Sequence, residues 1–398
     1  MREFQRQVKL AVERGDPPIT EPQYKWAMKT CNNGPIKATL KATENYNPIT
    51  AEEMNAGPLL VACEDGTYDL GADVFREPRR EDYITLAGKV KHDMNAECPE
   101  FIKFMYTIFL GDEKLIRYVQ RALGYSMTGL ITEQCFFMCV GNGANGKSTL
   151  FDIMTYILNE YSDHISMDVI LDKSNRGHLP TPELAKIKGK RLVFISESKD
   201  EAKLNEALIK KHTGGEKVTA RFLYANTETF EVTYKLWIAS NSKIDINGMD
   251  HGIWRRVRLI PFNHTFAEED KDKKFLDKLK VEASGIFNWL VEGYRDYVRL
   301  GGLCEPEAVL SAVSSYKEEM DPLKEFLELC VAKSDDGQIR AAVLYHVYCK
   351  FAKENGNKPM SQKAFGRHLF VKEYKKERNN QGFAYKEIVL TDFGRAFM

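Results

Sequence analysis

The stretch Gly141-Asn142-Gly143-Ala144-Asn145-Gly146-Lys147-Ser148 sets Gly141 and Gly146 either side of four residues and follows the second with a lysine and a hydroxyl. That spacing suits one chemistry, the cradling of a nucleotide polyphosphate. Glycines let backbone N–H groups turn inward without a Cβ in the way. A helix starting at the lysine adds the positive end of its dipole. Lys147 then reaches the β- and γ-phosphates, Ser148 offers its hydroxyl to Mg²⁺, and Thr149 continues the ATP-binding set Gly141–Thr149. At average composition, about one chain in a hundred of this length carries such a match by chance.

Hydrolysis needs more than a cradle. A carboxylate at a neighbouring strand tip must hold Mg²⁺ or orient the attacking water. Val193-Phe194-Ile195-Ser196-Glu197 places Glu197 there, between two serines. A second strand-like run, Lys235–Ala239, ends in Ser240-Asn241, and the Asn241 amide suits the γ-phosphate or the lytic water. Trp254-Arg255-Arg256-Val257-Arg258 supplies arginines far from the phosphate loop in sequence. Either Arg255 or Arg256 suits an arginine finger donated to a neighbouring subunit's nucleotide. Arg256 is preferred because it abuts the strand that follows.

These residues need elements to hold them. Cys135–Val140 is a short apolar run of buried-strand type, and a helical pattern follows from Lys147 to about Leu158. Strand, glycine loop and helix form one parallel-sheet unit. Two further runs, 191–195 and 235–239, are continuous rather than alternating, as strands covered on both faces are, and a fourth, 257–262, ends at a proline. Residues 131–265 are therefore expected to be an α/β, P-loop core. Before it, 58–70 reads as a hairpin around Glu64-Asp65-Gly66, and 99–128 as two amphipathic helices. Residues 58–130 become a mainly helical N-terminal (collar) domain. Residues 1–57, with six of the 14 prolines before position 59, read as a linker-like or incomplete segment. Residues 266–320 read as helical. Three helices and a hairpin over 321–398 give the order of a winged helix, with Lys363 and Arg367 four apart on its third helix.

Composition narrows the class. Hydrophobic residues are 43% and charged residues 29%, so the chain can build cores rather than remain disordered. Lys+Arg and Asp+Glu both count 57, which excludes a uniformly basic nucleic-acid coat but permits a local basic channel. The eight cysteines show no C-x-x-C and no His/Cys cluster. No apolar stretch reaches the ~18 residues of a spanning helix. A cytoplasmic location, in host cytoplasm for a viral protein, is expected, with no membrane partner.

In its order of phosphate loop, Glu-tipped strand, hairpin-rich spacer, Asn-tipped strand and Arg-Arg pair, the chain resembles the superfamily 3 helicases. It is most similar to the poxvirus-type primase-helicases, including those of phages and plasmids. Glu64–Leu70, Cys98–Phe101, Leu123–Gly129, Leu204–Leu208, Thr213–Gly215, Thr219–Arg221 and Ile253–Arg256 carry the likeness. The resemblance implies an AAA+ type, ring-forming and hexameric replicative DNA helicase. It implies ATP and Mg²⁺ as cofactors, 3′ to 5′ movement on single-stranded and forked DNA, and a primase or polymerase domain or subunit as partner. It also implies a hairpin projecting into the ring channel. Here Val218–Tyr224 and Phe230–Tyr234 are expected to form it around Asn226-Thr227-Glu228. Lys217 and Arg221 would contact phosphate, and Phe222 or Tyr224 would stack on a base. Two other readings stand beside this one: a DNA-dependent ATPase acting as replication initiator or loader, and a P-loop kinase of small molecules.

Overall fold

The computed structural model describes residues 13–14, 21–30, 32–43, 49–50, 52–172, 182–196, 203–221, 226–246, 251–270, 272–379 and 382–398. The chain divides into a small unit, residues 1–56 with 81–85, and a large one, residues 57–80 with 86–398. In the small unit, α1 (Glu21–Thr30) and α2 (Asn33–Thr43) are two short helices, and α2 buries none of its residues. Asn55 exchanges hydrogen bonds with Thr85 at 2.7 and 2.8 Å.

The large unit begins with β1 (Leu60–Ala62), β2 (Thr67–Asp69) and β3 (Val74–Arg76), an antiparallel sheet whose first turn is the Asp-Gly hairpin. Next come α3 (Pro99–Ile108) and α4 (Glu113–Ser126). Pro99 opens α3, where its missing N–H costs nothing. The free amides of Glu100 and Phe101 donate to the two carboxylate oxygens of Glu282 at 3.0 and 2.9 Å. Asp112 caps α4 by accepting from the Leu115 N–H.

The central region contains β4 (Phe136–Val140), α5 (Lys147–Leu158), β5 (Ser162–Ser166), α6 (Pro182–Lys186), β6 (Leu192–Ser196) and α7 (Glu206–Thr213). It continues through β7 (Val218–Ala220), β8 (Glu228–Phe230), β9 (Lys235–Ser240), α8 (His251–Trp254) and β10 (Val257–Pro261). Five of these strands form one parallel sheet in the order β10-β4-β9-β6-β5. Side chains alternate between its faces. Phe137, Cys139, Phe194 and Trp237 enter one core, and Phe136, Met138, Val193, Ile195 and Ile238 enter the other. This is why β4, β6 and β9 read as apolar runs. The edge strand β5 has no such signal in Ser162-Asp163-His164-Ile165-Ser166 and goes unread in the sequence.

Helices α9 (Phe275–Val281), α10 (Ala283–Leu300) and α11 (Glu307–Glu319) follow. The first core runs from Val61 to Val309, so the segments 58–130 and 266–309 are built around one interior rather than two. α10 lies directly on α4: a Cβ on Gly293 would stand 2.1 Å from the Gln120 carbonyl oxygen.

The last elements are α12 (Lys324–Cys330), β11 (Val331–Arg340), α13 (Ala341–Glu354), α14 (Gln362–Val371), β12 (Lys376–Asn379), β13 (Gly382–Leu390) and α15 (Asp392–Arg395). They enclose a core of their own from Leu323 to Phe397, under an antiparallel sheet ordered β11-β13-β12. The expected helices and hairpin are joined by β11, whose Lys333-Ser334-Asp335-Asp336-Gly337 reads as a loop in sequence. Among the described residues, no helix is long and apolar enough to cross a membrane.

Candidate functional site

The phosphate-loop sequence turns between the tip of β4 and the first turn of α5. Gly146 sits at φ +87°, and a Cβ there would stand 2.6 Å from the Ile108 side chain. At Gly141 a Cβ would fall 2.2 Å from the Phe262 carbonyl oxygen. Ala144 adopts a left-handed φ of 45°. The loop is held from outside, by Phe262 N–H on the Val140 carbonyl and Phe266 N–H on the Ala144 carbonyl, each at 2.8 Å.

Inside the loop, Lys147 is 6% exposed, and its Nζ donates to the Gly141 carbonyl at 2.6 Å and to Asn241 Oδ1 at 3.5 Å. Asn145 is 3% exposed, and its Nδ2 has no hydrogen-bond partner. A buried amide donor left unsatisfied costs about 1–3 kcal/mol, so this donor fits a loop built to take an acceptor. Ser148 and Asn142 are exposed, and Gly143 and Thr149 are half-buried. A polyphosphate fits this donor set, and the exposed Ser148 hydroxyl at the start of α5 is the residue present to hold its Mg²⁺.

Sheet order brings the other strand tips to the loop. β9 lies between β4 and β6, with Ser240 in register with Val140 and Ala239 in register with Ser196. Asn241, next after β9, thus stands between the loop and the end of β6. Glu197 follows Ser196 and lies outside the described residues. Ligands of open parallel sheets gather at this carboxyl edge.

The arginine pair is at the opposite edge. Val257 pairs with Phe136 and Pro261 with Val140, so residues 255 and 256 sit roughly 16 Å of strand from the loop. Arg256, the preferred finger candidate, faces inward. It is 8% exposed, with Nε on Thr213 Oγ1 at 3.0 Å and a terminal nitrogen on the Gly252 carbonyl at 2.5 Å. Arg255 is exposed and donates to Gln134 Oε1 at 3.0 Å.

A cavity of about 400 Å³ opens beside the loop, and sequence reasoning misses it. Ala144, Gly146 and Thr149 form one wall, Phe104 and Thr107 of α3 a second, and Phe266 and Phe275 a third. The Phe104 and Phe275 rings lie 5.4 Å apart. Lys103, Lys273, Glu100, Asp270 and Asp272 line it too. In sequence Phe104 is simply one more apolar position on a helix.

Where a hairpin is expected over 218–234, the structure has two three-residue strands. β7 and β8 pair Val218 with Phe230 and Ala220 with Glu228. Residues 231–234 leave the hairpin because Val232 and Tyr234 are drawn into the core, where Tyr234 Oη lies 2.6 Å from His212 Nδ1. Lys217 is exposed and pairs with Glu231 at 3.7 Å. Arg221 is exposed, and Phe222 and Tyr224 lie outside the described residues. On α14, Lys363 and Arg367 are both exposed.

Three family models match the chain: D5 N terminal like over residues 11–110, a family of unknown function (DUF5906) over 139–256, and Poxvirus D5 protein-like over 318–393. A protein of Acanthamoeba polyphaga mimivirus named a putative helicase is 27% identical over 318 residues, covering 75% of this chain and 33% of that protein. An African swine fever virus protein named a putative primase is 27% identical over 129 residues, 32% of this chain and 13% of its own length. The chain therefore spans about a third or less of these two relatives. A solved structure of the NrS-1 C-terminal region covers 75% of this chain and 79% of its own at 15% identity, with a TM-score of 0.46.

Proposed function

Because the chain belongs to the poxvirus D5-like primase-helicase family, we propose that it is the ATP-driven motor of such an enzyme, a ring-forming DNA helicase moving 3′ to 5′. The observation that carries this reading is the loop at the carboxyl edge of the sheet, with the Asn145 amide lacking an acceptor and Lys147 resting on a carbonyl of its own loop. Both donors await the same kind of ligand, an anion with several oxygens.

In this reading the triphosphate lies along residues 141–148, and the base enters the cavity between Phe104, Phe266 and Phe275. Lys147 leaves the Gly141 carbonyl for the β- and γ-phosphates. Bound Mg²⁺ neutralises phosphate charge, and the Ser148 hydroxyl and Glu197 are the groups to hold it. Asn241, already beside Lys147, positions the γ-phosphate or the water. Arg255 reaches the next subunit's nucleotide from the opposite edge of the sheet, which suits a donor acting in trans. Lys217, Arg221, Phe222 and Tyr224 of the hairpin grip one strand. The C-terminal unit is read as a winged helix, with α14 as its recognition helix.

Strand displacement on one duplex with a 3′ tail and one with a 5′ tail tests this. Opening of the 3′-tailed duplex alone, with ATP, is the expected result. ATP consumption with neither duplex opened would replace the helicase by an initiator or loader.

A further inference from the structure

The outer face of α14 is not purely cationic. Lys363, Arg367 and Phe370 fall at i, i+4 and i+7 and are all exposed, while Phe365 and Leu369 face the core. Phe370 is 79% exposed, at the end of a helix whose other phenylalanine is buried. A second exposed aromatic, Phe383, stands on the β12–β13 hairpin at 53% exposure. Arg378 is its cross-strand partner, and the Lys376 ammonium lies 4.8 Å and the Arg378 guanidinium 5.8 Å from its ring centre.

Register puts these groups on one side of the sheet. Lys376 pairs with Tyr385 and Arg378 with Phe383, so by strand alternation all four side chains share a face. That face meets α14, because the Tyr385 hydroxyl lies 3.7 Å from where a Cβ on Gly366 would be. Helix and hairpin thus present their aromatics and cations from the same side. Three cations near them are matched with acids instead: Lys372 with Asp321, Lys375 with Glu387 and Lys386 with Glu377. Among the described residues, Lys363, Arg367, Lys376 and Arg378 form no ion pair.

Cations alone on such a face would track phosphates. Exposed phenyl rings add nothing to phosphate binding, whereas an unpaired base stacks on them at about 1–3 kcal/mol per base. We propose that Phe370 and Phe383 form a stacking site for unpaired bases, with Lys363, Arg367, Lys376 and Arg378 holding the backbone of the same single strand. The winged unit then engages an opened strand rather than an intact duplex. This rests on the nucleic-acid reading above but not on the nucleotide site.

The test uses the full chain and a fluorescent mixed-sequence single strand of about 16 nucleotides, the upper end of single-module site sizes, with the matching duplex as control. Anisotropy is followed over roughly 50–200 mM salt. The double variant Phe370→Ala, Phe383→Ala is expected to bind the single strand about 10-fold or more weakly at an unchanged salt slope, with duplex binding nearly unaltered. Lys376→Ala with Arg378→Ala should instead flatten the salt slope. Equal losses on single strand and duplex would overturn the proposal, as would no loss on either. An unchanged single strand with altered sedimentation would assign the face to a second copy and also overturn it. Basal ATP hydrolysis without DNA, unchanged in these variants, reports folding. Its absence in the wild type would break the nucleotide reading and leave this one standing.

Discussion

A buried lysine stands at each end of the central sheet's strands, and the surroundings of the two differ. At the carboxyl edge, Lys147 rests on the Gly141 carbonyl, next to an orphaned Asn145 amide, an exposed Ser148 and an open cavity. At the amino edge, Lys235 starts β9 and is 2% exposed. Its ammonium meets the carbonyls of Thr128, Leu130 and Thr233, with the Tyr125 ring 5.0 Å away. Arg191 stands beside it, donating to Met127, Gly57 and Leu60 carbonyls at 2.9, 3.1 and 2.7 Å over the Tyr161 ring. Burial, with each other's charge adding for Lys235, holds Lys235 well below the usual lysine range, and burial holds Arg191 down to about 10. These two cations grip the carboxyl end of α4, the end a helix dipole makes negative. A buried cation in a closed carbonyl cage serves the fold. One beside an unsatisfied donor and open space is set up for a ligand.

The comparison breaks if the two lysines can be exchanged in their effects. Lys147→Ala is expected to lower ATP turnover roughly 100–1,000-fold or more, the scale of losing a main charge-stabilising donor, with thermal unfolding almost unmoved. Phosphate release and a melting curve decide it, and turnover within a few-fold of wild type would remove Lys147 from the site. Lys235→Met should do the reverse. It keeps the stem but strands carbonyls at about 1–3 kcal/mol each, partly offset by the desolvation no longer borne. A net loss of about 2–4 kcal/mol is expected by chemical denaturation, with turnover per folded molecule unchanged. An undiminished unfolding midpoint would show that the cage is not a fold determinant.

A smaller effect sharpens the same contrast. His212 is buried against Tyr234, and burial, with Lys211 adding, depresses it to about 4. The unfolded chain takes up this proton near 6.5, so the neutral histidine's contribution is present above that pH. It is lost as pH falls toward 4. His212→Gln should flatten the stability profile between these values. Denaturation midpoints at both ends of the window measure this, and a variant with the wild-type slope would refute it.

How much of this is legible in the chain depends on what is local. The glycine loop, its strand and its helix are contiguous, so 136–158 can be read directly. The four apolar strands are legible because both faces of the sheet are covered. β5 and β11 are not, since β5 offers only Ile165 as a buried hydrophobic side chain and β11 passes after Val331-Ala332 into the polar run 333–338. Arg255 and Arg256 look alike in sequence, and only the turn into β10 separates an inward from an outward side chain. Lys235 and Arg191 look like ordinary strand-flanking charges, because the carbonyls that cage them come mostly from 57–60 and 127–130. The cavity stays hidden for the same reason, being assembled from α3, the loop and residues 266–275.

The bond from Glu282 to the amides of α3, and the seat of α10 on α4, have a consequence for synthesis. The face of α4 waits for a helix that begins at Ala283, roughly 160 residues after Ser126 leaves the ribosome. At roughly 5–20 residues per second that interval is about 8–30 s. Throughout it the strands of the central sheet emerge while the side of α4 that α10 covers is open, the kind of exposed apolar surface that favours aggregation of incomplete chains. Helices α3 and α4 thus meet this partner long after they are made.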